Sequence, residues 1–458
     1  MSLRVFKQFF SQQRLAGGAF VLAITQFLAS LAGLFRDRIL ASTFPPGLDP
    51  LDTVSVYIAA FRPSDLLFQI LVMSAFSVAL VPLLAGHLAR AEKDEMDRLM
   101  TSTLLLAGVL FGIVSLLLAI FFRNLAPLFV AFEGPRLELY IHFGRLACFT
   151  NFLFVTGNAF GQYLIARQVY WAYGIAPIIY TLGTIGGTIF LTPVFGVYGP
   201  MYGTVLGALF YLWVRYGSAL LQGFSFRVSH LLHPEIREMG WLMLPRMVAL
   251  GALQLQLLLF DRVASALPAG SITINAFARN FQAAGVGVIG IALAQSAFSP
   301  LSQAIARGDL DRFHGYLRKG SLLTLALTIP AAIALASLGN VAAWLVHLRS
   351  GEVVATFIVA LGLYAMSIPL ESLNHLLLRA IYATKHTTVP AIATTLSGGV
   401  AIAVAWIFAT TYGVYALAAG FLAGQLLELV FLALFLRVRV RTLAPALSPT
   451  LEVVPEEL

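Results

Sequence analysis

The feature that most constrains this chain is its series of long apolar runs, which are separated by short charged segments. Hydrophobic residues make up 59% of the sequence and charged residues 11%, whereas soluble proteins are about 45–50% apolar and about 25% charged. A chain this apolar cannot hide its surface from water. Because a membrane-spanning helix takes about 20 apolar residues, the runs predict an all-α transmembrane protein with about twelve spans.

The predicted spans use nearly the whole chain. The basic segment Met1–Arg14 precedes an apolar stretch that is too long for a cleaved signal peptide, so this stretch is predicted to be the first span. The tail 442–458 is rich in proline and glutamate and is predicted to be disordered. The spans are 15–44, 54–84, 99–122, 138–165, 172–193, 198–221, 241–266, 271–305, 320–347, 353–383, 389–411 and 413–436.

The basic residues of the loops are distributed very unevenly between the two sides of the membrane. With a cytoplasmic N-terminus, the outer segments contain only Arg123, Arg136 and Arg349, and the remaining loop arginines and lysines lie inside. Cytoplasmic loops carry an excess of Lys and Arg, so both termini are predicted to be cytoplasmic. The formal net charge of +8 is then a topology signal, and we expect no nucleic-acid partner.

Several short motifs recur at an offset of about 220 residues, which indicates an internal duplication. Asp37-Arg38 is echoed by Asp261-Arg262, and Gly196-Val197-Tyr198 is echoed by Gly413-Val414-Tyr415. Six predicted spans lie in each half, so corresponding helices run in the same direction. The sequence therefore predicts a parallel repeat of two six-helix lobes, 1–222 and 223–441, with a substrate path between them.

Arginines interrupt several spans that are otherwise apolar. Arg36 and Arg38 flank Asp37 in the first span, and Arg62 and Arg279 lie in the second and eighth. An intramembrane charge is costly unless it faces a cavity or a partner. If these helices face one another, the arginines line a cationic chamber suited to a phosphate-bearing cargo. The alternative is that Arg36–Asp37 and Asp261–Arg262 are internal salt bridges that hold the lobes in one state.

Other ionisable residues of the spans have simpler interpretations. Arg215 and Arg246 lie near cytoplasmic ends and are expected to snorkel to the surface, and Arg262 lies within a turn of the outer surface. Three further residues could couple transport to a cation or could form hydrogen bonds between helices. They are Glu371, His375 and Glu428.

The sequence contains no motif for catalysis or for a cofactor. It has no phosphate-binding loop of the Gly-Lys-Ser/Thr type and no His-Glu-x-x-His. His230 and His233 lie in a basic loop without a third ligand, and Cys148 is the single cysteine. We therefore expect a transporter rather than an enzyme, without a metal site or a cofactor, although a coupling cation of unknown identity stays open.

A set of short motifs spread over nearly the whole chain resembles one known family. The motifs are Ser30–Asp37 (SLAGLFRD), Leu40–Phe44 (LASTF), Ala60–Arg62 (AFR), Ser74–Ser77 (SAFS), Leu244–Arg246 (LPR), Leu267–Ser271 (LPAGS) and Arg379–Ala383 (RAIYA). Together they resemble the MurJ (MviN) lipid II flippases of the multidrug/oligosaccharidyl-lipid/polysaccharide (MOP) exporter superfamily. The sequence departs from the family pattern at Phe68-Gln69 and at Ala278-Arg279-Asn280, and it lacks the two helices that usually follow the twelfth.

The resemblance implies a MATE-like, two-lobed flippase in the bacterial inner membrane. It would move an undecaprenyl-pyrophosphate-linked peptidoglycan precursor to the outer leaflet by alternating access, as a monomer among membrane lipids. Arg36, Arg62 and Arg279 would bind the pyrophosphate, Asp37 and Asp261 would orient arginines, and Arg246 would help to close the cytoplasmic side. The gate or ion-coupling candidates are Arg38, Asp65, Arg262, Glu371, His375 and Glu428.

Three alternative functions stay open on the sequence, and one of them is a scaffold for cell-envelope assembly that does not transport. A flippase for another polyprenyl-linked oligosaccharide would need the same cationic chamber. A cation-coupled exporter of small molecules would share the fold but not the arginine-rich first helix. A membrane-embedded transferase would need an acidic, metal-compatible loop, and the acidic segment around Asp94 is interleaved with Arg90 and Lys93.

Overall fold

The computed structural model describes residues 15–73, 80–227, 234–384, 386 and 388–447. These residues form helices and connections, without a strand among them. A helix satisfies its own backbone hydrogen bonds, which is the condition for crossing hydrocarbon. Within the described part of the chain, nine stretches are long and apolar enough to span a membrane. The count of about twelve spans stays a prediction.

The first half of the chain contains helices α1 to α8. The connection from α2 to α3 begins with a π-helical segment, Gln69–Met73, and a second one, Gly187–Leu191, joins α6 to α7. The helices are α1 (Leu15–Thr43), α2 (Thr53–Phe68), α3 (Val81–Ala89), α4 (Lys93–Phe129), α5 (Gly134–Ala166), α6 (Tyr170–Gly186), α7 (Thr192–Phe195) and α8 (Gly199–Leu221).

The second half contains helices α9 to α16 and a π-helical segment, Val286–Ile291, between α10 and α11. The predicted ninth span, 320–347, differs from the structure, because α12 ends at Ser337 and a short separate helix follows it. The helices are α9 (Pro234–Ala264), α10 (Ser271–Gly285), α11 (Ala292–Ala306), α12 (Leu310–Ser337), α13 (Gly339–Leu345), α14 (Gly351–Ala383), α15 (Thr388–Tyr412) and α16 (Tyr415–Leu447). The predicted tail begins at 442 within α16, and 448–458 lie outside the described residues.

The helix boundaries repeat along the chain with the periodicity that the sequence motifs predict. Helix α5 (Gly134–Ala166) and helix α14 (Gly351–Ala383) have the same length and start about 217 residues apart. The turns before α8 and α16 also correspond, since Gly196 and Gly413 both have a left-handed φ, 57° and 59°. Glycine adopts this conformation without the penalty that a Cβ would add. The duplication therefore extends from sequence motifs to backbone geometry.

The chain divides into two compact units, Met1–Phe277 with Val341–Ala355, and Ala278–Asn340 with Thr356–Leu458. In the first, α4 and α5 pack around a core that includes Phe111, Phe160 and Tyr163. In the second, α15 packs along α16, and the core includes Phe313 and Leu432. The predicted lobe boundary at 222/223 stays a prediction.

Small residues allow α6 and α8 to approach closely in the first unit. Gly183 of α6 and Gly187, the first residue of the π-helical segment that follows it, face Gly203 and Gly207 of α8, and a Cβ on Gly203 would overlap the backbone of Gly183 and Gly187. Lipid does not drive helices together by the hydrophobic effect, so close backbone packing supplies much of their attraction. Close packing through a glycine also occurs in the second unit, where Gly420 of α16 lies against α15.

We expect Gly203→Ala to destabilise the first unit by about 1–3 kcal/mol, because the added methyl group overpacks a backbone contact. The measurement is the midpoint of thermal unfolding in detergent micelles. Gly217→Ala on the same helix is the control, since a Cβ there has nothing within 4 Å. Equal midpoints for the two variants would contradict this account of the packing.

A buried carboxyl lies in the connection between α1 and α2. The Asp52 side chain is buried, and its Oδ2 accepts a hydrogen bond from the Gly270 amide at 3.0 Å. Its Oδ1 has no hydrogen-bond partner within the described structure. Burial raises the pKa of Asp52 from 3.8 to about 6. The folded protein therefore holds this proton more tightly than the unfolded chain does.

The sign of the resulting pH dependence follows from this raised pKa. The protonated Asp52 side chain stabilises the folded state relative to the unfolded chain below about pH 4, and this stabilisation is lost as the pH rises through about 6. Asp52→Asn keeps an acceptor for Gly270 and removes the charge. We expect its unfolding midpoint to exceed that of the wild type at pH 7 and to change less between pH 4 and pH 7. If the unfolding midpoints of the two proteins changed with pH in the same way, this prediction would be contradicted.

Candidate functional site

Arg62 of α2 forms an ion pair with Asp261 of α9 in the first unit. The Arg62 Nε donates to Asp261 Oδ2 at 2.7 Å. Pro63 follows within α2, where a proline removes one backbone donor and weakens the local helix. Since Nε is one of five N–H donors of a guanidinium, this pair fixes the orientation of Arg62 while using one of them.

A second ion pair lies within α1. Arg36 donates through Nε and Nη2 to Asp37 Oδ1, at 3.0 and 2.6 Å. The two residues are adjacent in sequence, so the pair needs no second helix. The predicted Arg36–Asp37 salt bridge is therefore present, whereas the predicted pairing of Asp261 with Arg262 is replaced by the pair with Arg62.

Polar side chains that the sequence did not single out lie on the neighbouring helices. Asn151 of α5 donates to Asp65 Oδ1 at 2.8 Å and to Ser64 Oγ at 2.7 Å. The Tyr57 hydroxyl is 2.9 Å from Thr204 Oγ1. Uncharged polar residues within mostly apolar helices more often serve helix packing. Only the tertiary structure shows that Asn151 supports Asp65.

Arg38 of α1 contacts the C-terminal end of helix α13. Its Nη1 donates to the carbonyl oxygens of Trp344 and Leu345, at 2.7 and 3.1 Å, and its guanidinium lies 5.0 Å from the Trp344 ring centroid. These carbonyls belong to the last turn of α13, where a cation complements the helix dipole. Arg38 thus anchors α13 to α1. Arg262 is half-buried.

The second unit has its own guanidinium–carboxylate pair. Arg279 of α10 lies 3.2 Å from Glu371 Oε2 of α14 and also donates to Gln282 one turn along its own helix. Gln282 Nε2 donates to the same Glu371 oxygen at 2.6 Å. The Arg279 guanidinium lies 3.9 Å from the ring centroid of Phe421. His375, one turn from Glu371, is close enough to interact with it electrostatically.

Glu428 of α16 is buried without a cationic partner among the described residues. Its Oε1 accepts a hydrogen bond from Thr394 at 2.9 Å. Glu428 therefore differs from the other buried acids, each of which has an arginine or an amide donor. In the described part of the chain, no three His, Cys, Asp or Glu residues are grouped to hold a metal ion.

The prediction that Arg215 snorkels is wrong. Arg215 is buried, donates to the carbonyl oxygens of Gly157 and Tyr173, both at 3.2 Å, and lies between two aromatic rings. The ring centroids of Tyr211 and Tyr173 are 4.2 and 4.6 Å away. Backbone carbonyls and aromatic faces inside the protein thus provide the interactions that water would provide at the membrane surface. The side chain of Arg246 lies outside the described residues.

The three arginines predicted to bind substrate share one arrangement. Each arginine side chain is more exposed than the side chain of the acid that pairs with it: 20% against 3% for Arg62 and Asp261, and 26% against 8% for Arg36 and Asp37. For Arg279 and Glu371 the values are 20% and 16%. A carboxylate that pairs with a more exposed arginine orients the cation and leaves other donors for an anion. Arg36 and Arg62 lie in the first unit, and Arg279 lies in the second.

The family follows from comparison with known proteins. The family model for the lipid II flippase MurJ matches residues 52–451. The chain belongs to the MurJ lipid II flippase family. A probable lipid II flippase MurJ from Bdellovibrio bacteriovorus is 24% identical over 434 residues, which cover 92% of this chain and 82% of that relative. Another from Thermotoga maritima is 26% identical over 419 residues, covering 89% and 82%.

Solved structures agree with this assignment at the level of the fold. A lipid II flippase MurJ in an inward closed conformation matches with a TM-score of 0.78 at 19% identity, covering 93% of this chain and 90% of the other. An inward-facing MATE family transporter of the MOP superfamily matches with a TM-score of 0.76 at 15% identity, covering 93% and 99%. The family member described here is thus an all-α membrane protein with the fold of MurJ and MATE transporters.

We expect Asp261→Asn to destabilise the protein by about 3–5 kcal/mol, because it leaves the Arg62 cation without its partner. The double variant Arg62→Gln with Asp261→Asn should recover part of this loss, since no unpaired charge remains. Thermal unfolding in detergent of the wild type, both single variants and the double variant measures the coupling. Strictly additive effects would show that the pair contributes nothing to stability.

Proposed function

We propose that this protein is a flippase for lipid II, moving an undecaprenyl-pyrophosphate-linked glycan from the inner to the outer leaflet of the bacterial inner membrane. Membership of the MurJ family supports the substrate class. The observation that carries the assignment to this chain is the set of partly exposed arginine side chains, each of which is paired with a less exposed carboxylate. Guanidinium binds phosphate oxygens in a bidentate manner, which favours a pyrophosphate over a cationic cargo.

The proposed mechanism is alternating access of two six-helix lobes, 1–222 and 223–441, with both termini in the cytoplasm. Arg36, Arg62 and Arg279 bind the pyrophosphate, Asp37 and Asp261 orient their arginines, and Arg246 helps to close the cytoplasmic side. The chain acts as a monomer and without a cofactor.

In this mechanism, the ion pairs let the substrate bind the two conformations of the protein with different affinities. A ligand shifts a conformational equilibrium only when it binds the two states unequally. A pyrophosphate that reaches Arg62 competes with Asp261 for the same cation, so its binding weakens a contact between α2 and α9. Substrate binding and rearrangement of these helices are then coupled through one guanidinium group.

Depletion of the native lipid II flippase in a bacterium that also expresses this chain tests the proposal. We expect the wild type to restore outer-leaflet lipid II, and we expect Arg62→Gln with Asp261→Asn to fail although it folds, because the site loses a cation. Arg36→Ala should fail as well, and Arg36→Lys should recover only part of the activity, since a lysine cannot form the bidentate contact.

Gln222→Ala, a substitution between α8 and α9 away from these arginines, is the control and should restore lipid II fully. Membrane expression of the wild type with no rescue would exclude lipid II and favour another polyprenyl-linked oligosaccharide. Full rescue by the paired Arg62 and Asp261 variant would show that this ion pair is only structural.

A further inference from the structure

An apolar groove lies on the second unit, away from the arginine–carboxylate pairs. It has a volume of about 450 Å³ and lies among α12, α14 and α16. The buried side chains of Phe313, Leu377 and Leu436 form part of its wall. The volume is within the range of small-molecule sites, about 300–1,000 Å³. An apolar ligand of limited size therefore fits it.

Basic side chains are among the residues that line this groove. Arg437 and Arg441 line it from successive turns of α16, and both are exposed. In the described part of the chain, neither guanidinium is paired with a carboxylate. His314 of α12 also lines the groove, and its Nδ1 donates to the Leu310 carbonyl at 2.7 Å. The groove thus combines an apolar wall with cations, the chemistry that suits an acyl chain ending in a phosphate.

The groove has the length of part of one leaflet. The lining residues of α16 run from Ala433 to Arg441, a distance of about 12 Å at 1.5 Å per residue. One leaflet provides about half of a hydrocarbon core of about 30 Å. A chain that enters from the leaflet at which α16 ends would lie along the wall with its headgroup at the arginines. That leaflet is the cytoplasmic one under the predicted topology, where anionic lipids attract basic segments.

We propose that this groove binds one acyl chain of an anionic glycerophospholipid, whose phosphate is held by Arg437 and Arg441. The site belongs to one unit and is separate from the substrate arginines. The lipid would therefore act as a bound component of the second unit and not as cargo. A free anion would not use the apolar wall, and a long polyprenyl chain would leave most of its length outside a groove of this size.

Binding of phosphatidylglycerol to the purified full chain tests this proposal, measured by native mass spectrometry and by the rise in unfolding temperature that a bound ligand causes. We expect Arg437→Gln with Arg441→Gln to weaken binding by about tenfold or more, since charge-assisted bonds to phosphate are lost. Ala433→Phe, which fills the groove and keeps both arginines, should also weaken it. Phosphatidylcholine should stabilise the wild type less.

Arg318→Gln with Lys319→Gln is the matched control. It removes two exposed cations from α12, outside the groove, and should bind phosphatidylglycerol like the wild type. An equal loss in this control would reduce the effect to general surface charge and overturn the proposal. Unchanged binding in Ala433→Phe would overturn it too, because it would indicate a contact with the headgroup alone. Equal stabilisation by inorganic phosphate would indicate a site for a free anion. Displacement by undecaprenyl phosphate at equal concentration would indicate a polyprenyl site.

Discussion

The structure depends on the cost of leaving a polar or charged group unpaired in hydrocarbon. Backbone groups meet this condition by forming helices, and the described part of the chain contains no other regular structure. Side-chain charges meet it by pairing. Arg62 is held by Asp261, Arg279 by Glu371, and Arg215 by carbonyl oxygens and aromatic rings. Each solution joins at least two helices, so the same cost that restricts charges also holds the bundle together.

The cost of leaving a charge unpaired in hydrocarbon also makes the ion pairs suitable for the proposed transport. A buried pair gives little net stability, because desolvation offsets much of the attraction. Breaking such a pair is expensive unless another charge replaces the lost partner. In the proposed mechanism, an anionic substrate would supply that replacement at a partly exposed arginine such as Arg62. Glu428 poses the opposite problem, since it is buried beside Thr394 with no cation among the described residues. A proton or a small cation would neutralise it.

The duplication explains why similar devices occur in both halves. Helix α5 and helix α14 start about 217 residues apart and have equal lengths, and Gly196 and Gly413 make equivalent turns. Close helix packing is repeated as well, through Gly203 in the first unit and Gly420 in the second. The halves differ in their charges. Arg36 is paired within its own helix, whereas Arg279 depends on α14.

The sequence by itself determined the all-helical membrane fold, the duplication and the family, and it singled out Arg36, Arg62 and Arg279 as candidates, because hydropathy, repeated motifs and intramembrane charges are local properties of the chain. Arg36 pairs with Asp37, its neighbour in the sequence, but only the tertiary structure decided the partners of Arg62 and Arg279. Arg62 and Asp261 are 199 residues apart, and Arg279 and Glu371 are 92 apart. Arg215 was misread for the same reason, since its place near a helix end does not reveal the rings that enclose it. Pairing in a membrane depends on which helices become neighbours, and sequence position does not specify that.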